Sequence, residues 1–166
     1  HILNSYNIKK VLLHYGTSSI KKSGLYDKVI NQLKKANVDY VELGGVTPNP
    51  KLSLALKGVE LAKKENVDLI LAVGGGSVID SAKLIAVGAK VDFNPWEFSI
   101  HEKIPTDHIP VGVILTISAA GSDMSSSCVI TNEETKEKRG FNSEENRPLF
   151  AILNPELTYS VSKYQT

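Results

Sequence analysis

Along the first half of the chain, short runs of apolar side chains alternate with stretches in which apolar residues recur at helical spacing. The runs are typical of buried strands and the stretches of amphipathic helices. The predicted elements are, in chain order, a strand at 11–13, a helix at 25–36, a strand at 38–43, a helix at 49–66, a strand at 69–73 and a helix at 78–87. Because parallel strands need a crossover that is usually a helix, this order predicts an α/β fold with a doubly wound, mostly parallel sheet.

The second half of the chain follows a different pattern. Residues 92–107 contain prolines and many polar residues and indicate a loop, and the apolar run at 111–115 then predicts another buried strand. Short runs at 128–131 and 139–141 flank a charged stretch, which predicts a β-hairpin insertion and not another crossover. The run at 149–153 predicts the strand that closes the sheet.

Composition and charge narrow the classes of protein that the chain can represent. Apolar residues make up 42% of the 166 residues, enough to fill the core of one compact domain. With 19 basic and 18 acidic side chains the formal charge is +1, so we expect no nucleic-acid partner. No apolar run is long enough for a membrane span and no export signal opens the chain, so we expect a cytoplasmic protein without a membrane partner.

Small residues follow three of the predicted parallel strands. Glycine-containing loops lie at 16–19, 74–77 and 116–121. Because ligands bind at the carboxyl ends of parallel strands, we expect the three loops to converge on one site. The loop at 74–77 opens a helix, so its backbone N–H groups and the positive helix end can receive a diphosphate. One such loop could equally be a tight strand-to-helix turn, but three of them favour a binding site.

The standard nucleotide motifs do not fit these loops. Ile79 stands where GxGxxG needs its third glycine, and no GxxxxGK[ST] loop is present. The run GGGSVIDSAK at 74–83 instead closely resembles the GGGSxxDxAK signature of the iron-containing (group III) alcohol dehydrogenase family. The sequences PNP at 48–50 and TISAAGSD at 116–123 also resemble motifs of that family.

The resemblance covers nearly the whole chain. Residues 15–19 and 148–159 are most similar to the branch of NADPH-dependent butanol dehydrogenases and aldehyde reductases. Two departures are Ala120, where the family usually has Thr, and Asp123, where it usually has Glu. The first departure removes a hydroxyl that could contact the cofactor.

The resemblance implies what the chain is and what it lacks. It implies that residues 1–166 are the N-terminal, Rossmann-like dinucleotide-binding domain of a longer enzyme, cut at both ends. That enzyme would transfer hydride between NADP(H) and a primary alcohol or aldehyde, with Fe²⁺ or Zn²⁺ held by a following all-helical domain that is absent here. We therefore expect no catalytic residue, no metal ligand and no turnover in this chain. An apolar face should be exposed where the helical domain would pack, so we also expect a homo-oligomer, a dimer.

The resemblance assigns cofactor contacts to named positions. Gly76, Ser77 and Asp80 would lie along the diphosphate and the nicotinamide ribose, and residues 116–120 on the adenine side. Without the resemblance Lys138 would be an ordinary solvated charge of the hairpin. The full set of candidate cofactor residues is Gly16, Thr17, Ser18, Ser19, Asn49, Gly75, Gly76, Ser77, Asp80, Thr116, Ile117, Ala120, Val129 and Lys138.

The loop after the first strand bears on the choice of cofactor. NAD-preferring relatives have an Asp at the position of Thr17, which would repel a 2′-phosphate. Here residues 16–19 offer amides and hydroxyls without negative charge, and Lys21 and Lys22 follow, which favours NADP(H). A plain hydrophilic turn is the alternative for this loop. An NAD-dependent polyol dehydrogenase of the same superfamily and a non-catalytic nucleotide-binding module are the alternatives for the protein.

The histidines and the cysteine point to no further chemistry. His101 and His108 are seven residues apart on a loop and lack the spacing of a metal site. Cys128 lies in an apolar strand, cannot form an intramolecular disulfide, and is expected to be a small core residue.

Overall fold

The structure is a computed structural model that describes residues 2–158. His1 and residues 159–166, which the predicted domain includes, lie outside the described part. The elements are, in chain order, α1 (Ile2–Ser5), β1 (Lys10–Tyr15), α2 (Ser19–Lys22), α3 (Leu25–Lys35), β2 (Asp39–Leu43), α4 (Leu52–Glu65), β3 (Leu69–Gly74), α5 (Gly76–Gly88), α6 (Trp96–Ser99), β4 (Val111–Leu115), β5 (Ser127–Asn132), β6 (Glu137–Asn142) and β7 (Phe150–Leu153). Short 3₁₀ turns at Glu144–Asn146 and Pro155–Thr158 flank β7.

Five parallel strands form the central sheet in the order β2-β1-β3-β4-β7. All their carboxyl ends therefore meet at one edge of the sheet. The hairpin β5–β6 forms a separate antiparallel pair. The predicted α/β class, the mostly parallel sheet and the hairpin insertion are confirmed.

Two layers of core lie on the two faces of the sheet. In β1, Leu12 packs with the core under α4 and α5, whereas Val11 and Leu13 pack with the core under α3. The helix α5 is buried along most of its length, because α4 covers one side and the hairpin another. A helix that is apolar almost all round is typical of such a central position.

The start of α4 differs from the prediction. The sequence predicts Asn49 as the N-cap and Pro50 as the first helical residue, but α4 begins at Leu52 with Lys51 before it. Asn49 adopts a left-handed conformation with φ 57°, and its Oδ1 accepts a hydrogen bond from Lys138 instead of capping the helix. The carboxylate of Glu133, on the hairpin turn, accepts hydrogen bonds from the Ser53 N–H and hydroxyl instead. A distant side chain thus satisfies the free amide that a local N-cap would have satisfied.

An apolar groove of about 420 Å³ lies between α3 and β7. Val29 and Leu33 line one side of this α3 groove, and Ile114 and Phe150 line the other. Beside it the edge strand β7 leaves Leu153 60% exposed. Apolar side chains are thus exposed along this edge of the sheet. None of the helices in the described part is both long and apolar enough to cross a bilayer.

Candidate functional site

A polar cleft of about 360 Å³ opens at the carboxyl edge of the sheet, between the start of α5 and the hairpin. We call it the α5 cleft. Its lining residues are Asn49, Pro50, Gly76, Ser77, Asp80, Ala120, Ser122, Val129 and Lys138. These residues come from four segments of the chain, and the structure brings together half of the predicted cofactor residues in this one cavity.

A second cavity, of about 430 Å³, also lies at the carboxyl edge of the sheet, beside the loops that follow β1 and β4. Ser19 from the loop after β1 lines it together with Thr116 and Ile117 from the loop after β4. Gly16, Thr17 and Ser18 precede Ser19 in the same loop but line neither cavity, and Thr17 and Ser18 are exposed. Gly75 lines neither cavity as well, so seven of the fourteen predicted residues line the α5 cleft, three line the second cavity and four line neither.

The space around Gly75 explains why this residue is glycine, whereas Gly76 leaves room for a Cβ but for little more. A Cβ on Gly75 would lie 2.8 Å from Cγ2 of Ile117, which is closer than real side chains approach. A Cβ on Gly76 would lie 3.4 Å from both the Ala120 Cβ and the Ser122 Oγ. Gly75 is the N-cap of α5, so the free N–H groups of a 13-residue helix point into this gap. The gap is therefore narrow, lined by amides and suited to an anion.

Asp80 lies one turn further along α5, at the base of the cleft. Its Oδ2 accepts a hydrogen bond from the Val129 N–H at 3.3 Å. Its Oδ1 is buried and has no partner within the described residues. Burial raises the pKa of this carboxyl, and the neighbouring Lys83 ammonium opposes that rise. The Ser122 side chain also lies close enough to this carboxylate to lower its pKa. A buried carboxylate oxygen without a partner is costly, and Oδ1 is therefore an unexplained polar atom at the base of the cleft.

Lys138 closes the cleft from the hairpin side. Its Nζ donates to the Oδ1 of Asn49 at 2.8 Å, which joins β6 to the loop before α4. The Thr131 N–H donates to the Pro50 carbonyl at 2.9 Å and makes a second link between the same two segments. The hairpin is thus held against the loop at 49–51, with a cation at the rim of the cleft.

The prediction from sequence missed several residues of this region. Ser122 and Pro50 line the cleft but are not among the predicted residues, although both lie within the quoted motifs. His14 is buried beneath α5, where its Nδ1–H donates to the Leu43 carbonyl at 2.7 Å and its Nε2 accepts from the Ser81 hydroxyl at 2.8 Å. No periodicity could have located that interaction, because its partners are 29 and 67 residues away.

The described residues do not fit a metal site. Within residues 2–158, no three side chains of the His, Cys, Asp or Glu type come together as metal ligands would. His108 pairs with Glu145 at 2.5 Å, and neither residue lines the two cavities. Cys128 is fully buried and burial raises its pKa, so it has the character of a core residue and not of a nucleophile.

A doubly wound parallel sheet with a glycine-lined cleft at its carboxyl edge defines a Rossmann-like α/β domain. The family model described as iron-containing alcohol dehydrogenase matches residues 1–155, and the chain belongs to that family.

Relatives with known names support this assignment. The chain is 52% identical over 158 residues to a probable NADH-dependent butanol dehydrogenase 1 of Bacillus subtilis, covering 95% of this chain and 41% of the relative. It is 38% identical to the NADPH-dependent aldehyde reductase YqhD of Escherichia coli, covering 94% and 41%. The crystal structure of an NADH-dependent butanol dehydrogenase A from Thermotoga maritima superposes with a TM-score of 0.96 at 45% identity, covering 99% and 41%. The chain thus spans about two fifths of the length of these relatives.

Proposed function

We propose that residues 1–166 are the N-terminal NADP(H)-binding domain of an alcohol dehydrogenase or aldehyde reductase. The observation that carries the proposal is the α5 cleft, where the start of α5, the Asp80 carboxylate and the Lys138 ammonium surround one cavity. Backbone amides suit a diphosphate and a carboxylate suits ribose hydroxyls. The cavity therefore offers the groups that a dinucleotide needs, in adjoining positions.

Each group has a defined task in this proposal. Gly75, Gly76 and Ser77 receive the diphosphate at the start of α5. Asp80, Asn49, Val129 and Lys138 bind the ribose and nicotinamide half in the α5 cleft. The adenine half occupies the second cavity, against Ser19, Thr116 and Ile117, and Ala120 contributes from the α5 cleft. When bound, NADP(H) supplies or accepts the hydride, and the chain's own residues hold the cofactor in place.

The preference for NADP(H) rests on the charge of the loop after β1. Thr17 and Ser18 are exposed and neutral, together with Gly16 and Ser19, so nothing in the loop repels a 2′-phosphate. Lys21 follows at once, and its ammonium lies 4.9 Å from the centre of the Tyr26 ring and 5.6 Å from that of Tyr15. Those rings hold the cation near the loop.

A second candidate is the same function with NADH as the cofactor. Four relatives that are 42–52% identical carry names that specify NADH dependence. An NAD-dependent polyol dehydrogenase would share this property, and a relative at 34% identity is named as a 1,3-propanediol dehydrogenase.

We also propose that this chain does not turn over on its own. Its described residues form no metal site, and reduction of an aldehyde needs a group that polarises the carbonyl. In the longer protein the substrate would be a primary alcohol or an aldehyde, the assembly a dimer and the location the cytoplasm. The alternative is a non-catalytic nucleotide-binding module. Such a module would bind a cofactor but would not be part of a longer enzyme.

Calorimetric titration with NADPH and, separately, with NADH tests the proposal. We expect NADPH to bind more tightly, and Thr17→Asp to weaken NADPH by about tenfold more than NADH, because the new carboxylate repels the 2′-phosphate. Thr106→Asp makes the same change at an exposed position before β4, at the opposite edge of the sheet, and should alter neither affinity. Tighter binding of NADH would favour the second candidate. Absence of binding by both cofactors would overturn the proposal.

A further inference from the structure

Lys83 on α5 is fully buried, as are Phe98 and several leucines and isoleucines of the core. Lysine is rarely buried without compensation, because removing an ammonium from water is costly. Within the described part of the chain Lys83 forms no ion pair. Its burial therefore depends on direct hydrogen bonds to neutral oxygens and on carboxylates that lie further away.

Three oxygens of one segment accept hydrogen bonds from the Lys83 ammonium. They are the Ser125 carbonyl at 2.9 Å, the Ser127 carbonyl at 2.8 Å and the Ser125 hydroxyl at 3.3 Å. The ammonium has three donors, so all of them are used. Residues 121–126 contain no helix or strand, and Lys83 fixes the end of this segment against α5.

That segment forms the wall of the α5 cleft opposite the glycine turn. Ser122 lies at its start and lines the cleft, and Val129 lies just beyond its end. Asp80 is one turn before Lys83 on the same helix and bonds to the Val129 N–H. Lys83 and Asp80 thus attach the segment and the hairpin to one helix at two neighbouring points, which sets the width of the cleft.

The charges of the two residues are also linked. Burial raises the pKa of Asp80 and lowers that of Lys83, and each opposes the shift of the other. Lys138 from β6 also faces Asp80, and Asp123 and Arg147 face Lys83. The Cys128 thiol of β5 lies near both, and burial raises its pKa, so it stays neutral over the tested pH range. Without the Lys83 charge, Asp80 would take up a proton at higher pH.

We propose that Lys83 is a positioning residue for the cofactor cleft, which holds residues 122–129 at the distance from α5 that the dinucleotide requires. The proposal rests on the proposed function of the cleft and goes beyond it, because Lys83 itself lines neither cavity. A lysine that only stabilised the fold would affect the free energy of unfolding and leave the affinity of the folded protein unchanged.

The test is a titration of the chain with NADPH at pH 6, 7 and 8, for the unaltered protein, Lys83→Met and the control Lys90→Met. Met keeps most of the length of the side chain and removes its charge and donors, and Lys90 is exposed beyond the end of α5. We expect Lys83→Met to bind about tenfold more weakly at pH 8. The loss should be larger at pH 6, since Asp80 is then more readily protonated and accepts ribose hydroxyls less well. Lys90→Met should match the unaltered protein at each pH.

A folded Lys83→Met protein with unchanged affinity and unchanged pH profile would overturn the positioning role and leave the proposed function intact. Failure of the unaltered chain to bind would overturn both. If Lys83→Met does not fold, Ser125→Ala decides the question, because it removes only the hydroxyl acceptor. It should weaken NADPH binding about threefold relative to the neighbouring control Ser126→Ala. Equal affinities of these two variants would overturn the proposal.

Discussion

The two faces of the parallel sheet are filled in different ways. Under α3 the core is a cluster of apolar side chains with Tyr15, and the adjoining α3 groove is apolar as well. Under α5, His14, Ser81 and Lys83 are buried among the apolar residues, and the adjoining cleft is lined by polar groups. The other buried polar side chains of residues 2–158 lie around α6, the hairpin and the segments next to it.

This difference separates two tasks of the domain. Burying a polar group costs free energy unless it is hydrogen-bonded, so a face that only has to fold is best filled with apolar residues. A face that presents fixed polar groups to a ligand needs buried partners to hold them. The more apolar concavity, the α3 groove, is therefore not the one that holds the candidate site, although apolar pockets are the usual ligand sites.

Truncation of the apolar face should give the largest effect on stability and no effect on binding. Leu33 is 1% exposed on α3, and Leu33→Ala should lower the free energy of unfolding by roughly 3–4 kcal/mol through the lost contacts and the cavity that remains. Urea unfolding followed by circular dichroism measures this. Leu153→Ala, at a position that is 60% exposed, is the matched control and should cost far less. A change in NADPH affinity of folded Leu33→Ala would show that the two faces are coupled.

The polar face should make stability depend on pH through His14. Burial lowers the pKa of His14 from 6.5 to about 4. Because the folded pKa lies below the unfolded one, protons bind preferentially to the unfolded chain, so this stability is present above pH 6.5 and is lost as the pH falls towards 4. The loss from this residue is about 3 kcal/mol over that range.

His14→Gln should lower stability at pH 7 but flatten the loss between pH 6.5 and 4. Urea midpoints at several pH values measure both curves. His101→Gln, at an exposed loop position, should keep the slope of the unaltered protein. A His14→Gln curve parallel to that of the unaltered protein would contradict the assignment of a neutral, buried imidazole.

Filling the gap at the start of α5 should affect binding without affecting the fold. Gly76→Val would place methyl groups against Ala120 and Ser122 and lower NADPH affinity by at least about 100-fold, or about 2.7 kcal/mol. Gly76→Ala adds only a Cβ at ordinary contact distance and should cost about threefold. Calorimetry gives the affinities and thermal melting the stabilities. Undiminished binding by the Val variant would mean that the glycines serve only the turn.

The sequence predicted the elements better than their ends. The apolar pattern located all five parallel strands. Strands β1, β3 and β4 are buried on both faces, so hydrophobic runs mark them directly. The edge strands β2 and β7 are partly exposed and were located by an alternating pattern and by a short apolar run, respectively. It misplaced the start of α4, since the group that bonds to Ser53 is Glu133, 80 residues away. Small helices such as α2 and α6 have one turn each and too few residues to show a period.

The residues of the candidate site were likewise predicted only in part. Gly76, Ser77 and Asp80 could be predicted because their spacing forms part of a motif, and the structure places them in one cleft. The burial of Lys83 could not, because a lysine in a helix is usually solvated and only the carbonyls of Ser125 and Ser127 make its burial possible. A sequence motif can therefore predict the residues that face the cleft. The buried residues behind the cleft can be recognised only when their tertiary partners are known.

The smallest expected effect is on self-association through β7, at the edge of the apolar face. Leu149, Ile152 and Leu153 on and beside β7 are 40–60% exposed, and an apolar edge strand without charges can pair with another copy. Light scattering should therefore give an average mass that rises with concentration. Leu153→Lys should weaken this association severalfold, about 1 kcal/mol, because like charges would meet across the edge.

Ile104→Lys makes the same kind of change at a residue that is 83% exposed on a loop, away from β7, and should leave the mass unchanged. A monomer at every concentration would show that the apolar face is inert in this chain. If Leu153→Lys and Ile104→Lys lower the average mass equally, the association depends on overall charge and not on β7. The contrast between the two faces would then rest only on stability and cofactor binding.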